Sequence, residues 1–460
     1  MLNTRQTMYF RHQPKYRLVI PAKRVGCNTA ILVFLLALLM TACSTRENTL
    51  EGDRRPILDD VMLMETNAEA AAEGGEIGQA RRNTVFSHAG VDAGHGGGHL
   101  DLAASISRLW SISVGRAAEH GTELAQPVAA GGLVYTITPG GMLRATALDD
   151  GSMRWEVEID PSTDTTQNTL TGGLSLDNGV LFAHAGKSQL FALDAETGVT
   201  QWQQTVSLPL RAGPTSDNGA VFVADLDGRL FAYVAATGEL LWSRVGAEST
   251  TSISGAAAPA IRGNSLIQVA SSGDLSVLDS STGDVVWGDN LAALQARTAL
   301  DNFADIRAHP VHDGGLVMAI SQSGRMVGYN ARTGRTIWEA PISGVEMPWR
   351  AGKTVFVVAV SGHVYALRRQ DGALRWQTAL PEALQPGQVI AEDPVRFFGP
   401  VVAGGRVIIA DSSGKLHLLD ANNGALLDSL PLGGEAVAAP LVIDGTLIIL
   451  TRDGKLSAWR

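Results

Sequence analysis

His88, Asp92, His95, His99 and Asp101 fall close together, and imidazoles among carboxylates can bind transition metals or move protons. Their spacing matches no structured zinc or copper site, and the stretch around them is rich in glycine, so they read as incidental. Asp225-Leu226-Asp227-Gly228 resembles a fragment of a calcium loop, but Asp227-Gly228 also falls where a hairpin turn is required. Asp194, Asp279 and Asp420 each open a tight turn, where a carboxylate accepts backbone N–H groups. The sequence contains no nucleophile elbow, no His-Glu-x-x-His and no phosphate-binding loop. Neither catalysis, nor a metal, nor a cofactor is expected from these residues.

The one residue type with a clear covalent fate is cysteine. The chain has two, Cys27 and Cys43, so a product beginning at Cys43 has no disulfide. Residues 1–42 carry six Lys or Arg and no Asp or Glu, and end in the apolar run from Ile31 to Met40. A run of that length is far short of the roughly 20 residues that span a bilayer as a helix, and reads as the core of a signal peptide. Met40-Thr41-Ala42-Cys43 resembles the lipobox of bacterial lipoproteins, which predicts acylation of Cys43 after removal of residues 1–42. Losing six positive charges from a net of −10 leaves a mature chain near −16. So acidic a body repels nucleic acid and anionic lipid surfaces.

The elements that would position any site begin further along. Residues 43–104 read as a lipidated N-terminus and flexible tether: a helix-prone piece over 57–73, then glycine-rich chain from Gly90 to Gly98, with little apolar surface to bury. From 105 to 460 the sequence is repetitive. Gly followed four residues later by Trp occurs at Gly151/Trp155, Gly198/Trp202, Gly238/Trp242, Gly283/Trp287, Gly334/Trp338 and Gly372/Trp376; Gly424/Asp428 keeps only the glycine. Intervals of 38 to 51 residues between these tryptophans mark one supersecondary unit per repeat. Each repeat reads as four short strands: a first one near a proline, two apolar ones around a Gly turn, a turn such as Asp194-x-x-Thr197-Gly198, and a last strand with the Trp. Such blades cover their faces by packing radially.

The expected fold is therefore an all-β, eight-bladed propeller of four-stranded antiparallel blades. The last repeat stops after three strands, and Arg108-Leu109-Trp110-Ser111-Ile112 offers a Trp-bearing strand ahead of the first complete repeat. This N-terminal strand is expected to close the last blade. The tryptophans read as inter-blade packing, not as a ligand cage.

The Asp-x-x-Thr-Gly turns and terminal tryptophans resemble the PQQ-type propeller repeat over nearly all of 105–460. Two kinds of protein use it: quinoprotein dehydrogenases, with a quinone and Ca²⁺ on the propeller axis, and BamB-like lipoproteins, the propeller subunit of the machinery that folds β-barrels into the bacterial outer membrane. The lipobox and eight blades are similar to the second, and the adjacent cysteines that clamp the quinone in eight-bladed dehydrogenases are missing. The resemblance implies a non-catalytic scaffold, without cofactor, lipid-anchored on the periplasmic face of the outer membrane, with a BamA-like barrel-assembly protein as partner. Ser44 after the cysteine suits the outer membrane. The alternatives are a quinone (PQQ)-dependent dehydrogenase and a periplasmic propeller that binds a small ligand on its axis.

The resemblance also implies contact residues. BamB-like proteins carry Leu-x-Leu-Arg on a connection between early blades, and Leu208-Pro209-Leu210-Arg211 has that pattern here, with two leucines expected to be exposed. Acidic residues of the next connection are replaced by Ser252-Ile253-Ser254-Gly255-Ala256, so Arg307, Trp349 and Arg350 are expected to contribute instead. Arg211, Arg307, Arg350 and Arg396 each lie just before an expected first strand, which predicts a ring of positive charge at one mouth of the propeller.

Overall fold

A computed structural model describes residues 64–115, 124–159, 172–246, 257–292, 306–384 and 394–460. Eight antiparallel sheets succeed one another along the chain: blades 1 to 7 span 128–158, 173–205, 215–244, 260–290, 311–340, 349–379 and 397–431. Blade 8 takes three strands from 441–459, and its outermost strand is Arg108–Ser113, paired antiparallel with Lys455–Trp459. The N-terminal strand thus closes the ring.

The middle strands of each blade are sandwiched between neighbouring blades, and so read as unbroken apolar runs. Ala220–Ala224 and Leu230–Val234 of blade 3 are nearly all buried, whereas the outermost strand, Leu240–Arg244, is largely exposed. Turn chemistry holds the last hairpin of blade 2: Asp194 Oδ1 accepts from Thr197 N at 2.8 Å and Thr197 Oγ1 at 2.7 Å, and Gly198 adopts φ +74°.

Such hairpins are also the joints between blades. The Trp of each outermost strand that carries one lies against the turn glycine of the next blade and donates its indole N–H to a carbonyl there: Trp110 to Leu148, Trp155 to Ala195, Trp202 to Ala235, Trp242 to Ser280, Trp287 to Ala331, Trp338 to Arg369 and Trp376 to Ala421, at 2.9–3.2 Å. A Cβ on Gly238 would stand 2.8 Å from the Trp202 indole, so the glycine is required by contact as well as by φ. Asp428 now has a physical explanation. Blade 8 has no such hairpin, because its outermost strand, Arg108–Ser113, precedes the other three in the chain; Ser107 and Arg460 exchange backbone hydrogen bonds at 2.8 and 2.9 Å beside that pairing. Blade 7 has no glycine turn to pack on, and carries no Trp.

The flexible tether expected over 43–104 does not describe residues 64–104, which are built into the domain. A short helix, Ala68–Ala72, capped by Asn67, lies along the outermost strand of blade 6: Asn67 N donates to Leu374 O at 3.0 Å, and the Arg375 guanidinium reaches Ala70 O, Gly74 O and the Glu73 carboxylate. Leu374 and Arg375 are consequently buried, while Leu240, Leu241, Val285 and Val286 at the matching places of other blades are exposed.

Residues 83–100 then run once around the propeller axis and touch the first strand of every blade in ring order. Asn83 Nδ2 donates to Val442 O of blade 8 at 3.3 Å while its carbonyl accepts from Asp444 N in the following turn, and Val85 and Phe86 pair with Ala130 and Ala129 of blade 1. Ser87 O accepts from Leu176 N of blade 2, and His88 Nε2 from Ser216 N of blade 3. Ala93 O and Gly94 O accept from Ile261 N of blade 4 and His312 N of blade 5. Gly98 N donates to Arg350 O of blade 6, and Leu100 N to Val402 O of blade 7. Where the loop meets itself, Arg81 N bonds to His99 O and Asp101 N to Arg81 O.

Candidate partner-binding face

The connection from blade 2 to blade 3 is fastened to the middle turn of blade 3. Arg211 N donates to Ala224 O at 3.1 Å, Leu226 N donates to Pro209 O at 2.9 Å, and Leu210 bridges Asp225. Asp225 Oδ1 accepts from Asp227 N and Arg229 N, which makes it a turn cap rather than a calcium ligand. This fastening turns Leu210 inward. Its side chain is fully buried with Phe182, Leu190, Val206 and Val221, so the expectation of two exposed leucines is corrected: only Leu208 is half-exposed. The second exposed apolar residue is Leu226, at 39% exposure. It was missed in the sequence, although an apolar residue inside the polar turn Asp225-Leu226-Asp227-Gly228 is a signal of its own.

Arg211 reaches sideways to blade 4, donating to Ser271 Oγ at 2.9 Å. With Arg307 and Glu346 it lines an axial cavity of about 160 Å³, which His88 and His95 of the encircling segment also line. Trp349 borders the same cavity but is buried, and its indole N–H is committed to Gly98 O at 2.8 Å, so it serves the encircling segment and is not an exposed contact. Arg350 is not with the others. It opens onto a separate cleft with Glu73, Glu76, Lys353 and Arg368, its Nε 4.0 Å from Asp313, which Arg369 also holds. Arg396 lies over the ring of Phe398 at 5.9 Å. The predicted ring of four arginines is therefore corrected to Arg211 and Arg307 at one cavity, with Arg350 at another. The proposed lipidation site, Cys43, and the connection Ser252–Ala256 lie outside the described residues.

The histidine cluster does not converge. His88 Nε2 takes the N–H of Ser216, leaving Nδ1–H for Ser87 Oγ at 2.8 Å. His95 Nδ1 donates to Pro310 O, and His99 bonds to Gly78 O and Gly405 N. Asp92 Oδ1 accepts from Gly94 N and Gly96 N. These residues shape the encircling segment. Burial pushes His88 and His309 down to about 3, so both are neutral.

Residues 143–378 and 388–459 match the family model described as outer membrane protein assembly factor BamB. The protein of that name from Salmonella typhimurium is 29% identical over 355 residues, covering 76% of this chain and 88% of the relative. That from Xanthomonas campestris pv. campestris is 32% identical over 367 residues, covering 78% and 87%. Among solved structures, BamB from Moraxella catarrhalis superposes with a TM-score of 0.65 at 20% identity, over 77% of this chain and 100% of that one. Quinohemoprotein alcohol dehydrogenase from Comamonas testosteroni superposes with 0.60 at 14% identity, over 85% and 84%, a likeness of fold. With the repeats, the ring and the matched span in agreement, the chain belongs to the family of the outer membrane protein assembly factor BamB.

Proposed function

We propose that this chain is a non-catalytic scaffold in the assembly of outer-membrane β-barrels, anchored through a lipid on Cys43 at the periplasmic face of the membrane. Its partner is a BamA-like barrel-assembly protein, and the docking surface is the patch formed by Leu208, Pro209 and Leu226 beside Arg211, with Arg307 at its axial side. The observation that carries this reading is the pairing of two partly exposed leucines on loops zipped together by backbone hydrogen bonds. A rigid apolar patch next to a guanidinium suits a small hot spot, because little ordering entropy is lost on docking. The names of the relatives support the assembly role.

A quinone-dependent enzyme fits less well. The axial cavity of about 160 Å³ falls below the roughly 300–1,000 Å³ usual for small-molecule pockets, and residues 83–100 occupy one end of the axis. The test is a pull-down from detergent-solubilised envelope with the Leu208→Asp, Leu226→Asp double variant. It is expected to fold normally and lose the barrel-assembly protein; normal recovery by a folded variant refutes the docking surface. Cys43→Ala is expected to leave the membrane fraction or accumulate as precursor, and a processed, lipid-labelled Cys43→Ala product would refute the anchor.

A further inference from the structure

Glu382, Asp411 and His417 meet where the chain leaving blade 6 touches blade 7. Glu382 follows the strand Leu374–Ala379, Asp411 ends the strand Arg406–Asp411, and His417 lies in the strand Lys415–Asp420. The side chains of Asp411 and His417 are fully buried, and that of Glu382 is 14% exposed. His417 Nε2 stands 2.9 Å from Asp411 Oδ2 and 3.3 Å from Glu382 Oε2. The other ring nitrogen is 2.9 Å from Ser429 Oγ. Asp411 Oδ1 accepts from Ser413 Oγ and Lys415 N, and the Lys415 ammonium pairs with Glu382 Oε1.

A single proton on Nε2 cannot serve two carboxylates. The hydrogen bond goes to Asp411, and Glu382 Oε2 is left buried with no hydrogen-bond donor. An unmet buried acceptor of this kind is unfavourable, and a carboxylate more so than a neutral group. A divalent cation in place of that proton satisfies all three groups at once. Their ligand atoms lie within 4.8 Å of one another. Bonds of about 2.0–2.1 Å in a tetrahedral site put neighbouring ligand atoms roughly 3.3 Å apart, close to the two histidine–carboxylate distances of 2.9 and 3.3 Å.

The surroundings fit as well. With its proton on Nδ1, donated to Ser429 Oγ, the imidazole turns a lone pair on Nε2 toward the carboxylates, as metal-binding histidines do. One nitrogen with two oxygens suits zinc, whereas calcium and magnesium are held by oxygen alone. The geometry points to a Zn²⁺ site made by His417 Nε2, Asp411 Oδ2 and Glu382 Oε2, which ties the turn leaving blade 6 to two strands of blade 7. This site is independent of the docking surface and departs from the expectation of no metal.

The test uses the mature chain, stripped with chelator, dialysed, and titrated with zinc chloride by calorimetry, with bound metal counted after gel filtration. One zinc per chain is expected. Ser429→Ala should weaken binding by about 10–100-fold and Glu382→Gln by at least as much, while Glu239→Gln, at an exposed carboxylate of blade 3, should bind as the parent does. Less than a tenth of an equivalent retained by the parent overturns the site. So does parental affinity in a folded Glu382→Gln chain, which would send the zinc to other histidines. Nitrogen-15 spectra of the imidazoles give a readout without any variant: His417 Nε2–H must vanish at one equivalent of zinc, and its persistence leaves only a histidine–carboxylate hydrogen bond.

Discussion

His88 Nε2 accepts the backbone N–H of Ser216 at 3.0 Å, joining the segment inside the ring to the first strand of blade 3, and only a neutral imidazole can make that bond.

A pH dependence follows from this. Burial holds His88 and His309 at about 3 and His184 at about 4, while an unfolded imidazole takes its proton near 6.5. Between those values the unfolded chain binds protons that the folded chain refuses. Stability should therefore fall as pH falls from about 6.5 toward 3 to 4, by up to about 1.4 kcal/mol per pH unit for each histidine, with no contribution to the slope above 6.5. Urea titrations across this range should show a shallower slope for His184→Gln than for the parent. An unchanged slope would count against the neutral, buried imidazole.

The blade joints predict an asymmetry. Trp202→Ala should cost about 3–5 kcal/mol and Trp202→Phe about 1 kcal/mol beyond its packing change, for the lost bond to Ala235. Gly238→Ala forces φ +73° on a side-chain residue and drives a methyl into the indole, so it should cost more than the ~1–2 kcal/mol of the backbone alone. Asp428→Trp should gain nothing, because no hairpin awaits it. Denaturant midpoints of the four variants decide.

Leu208 and Leu210 should separate cleanly. Leu210→Ala empties a fully buried site and should cost about 2–5 kcal/mol. Leu208→Ala with Arg211→Ala should stay within about 1 kcal/mol of the parent in a melting experiment and still lose the partner in a pull-down. Equal destabilisation by both would place the loop in the core.

Leu100→Ala probes the encircling segment. A tether would not register the change, whereas a residue with no exposed surface should cost about 2–5 kcal/mol. Protease sensitivity around 83–100 should rise with it.

The ring was legible because each of its devices is local. Asp194, Thr197 and Gly198 make a turn among themselves, and a Trp recurs at a fixed distance from such a glycine, so six blades can be counted from that spacing and a seventh from Gly424. Even the closing strand announced itself through Trp110. The encircling segment left no such trace, since it is held mainly by backbone carbonyls and amides that every residue possesses. Leu210 misled for a related reason. In an extended stretch it would share a face with Leu208, but its bridge to Asp225 folds the chain under at that residue. Leu374 and Arg375 look like any exposed strand pair until the helix at Ala68–Ala72 lies on them.

The path of residues 83–100 begins on blade 8 and finishes on blade 7, so it can be laid down only when all eight stand side by side. Residues that leave the ribosome early thus find their final partners after the last ones have been made. The segment acts as a gauge of circumference. A ring with one blade fewer or more would leave Ala93 and Gly94 out of step with Ile261 and His312, so a duplication or loss of a single repeat is penalised at the axis as well as at the seam.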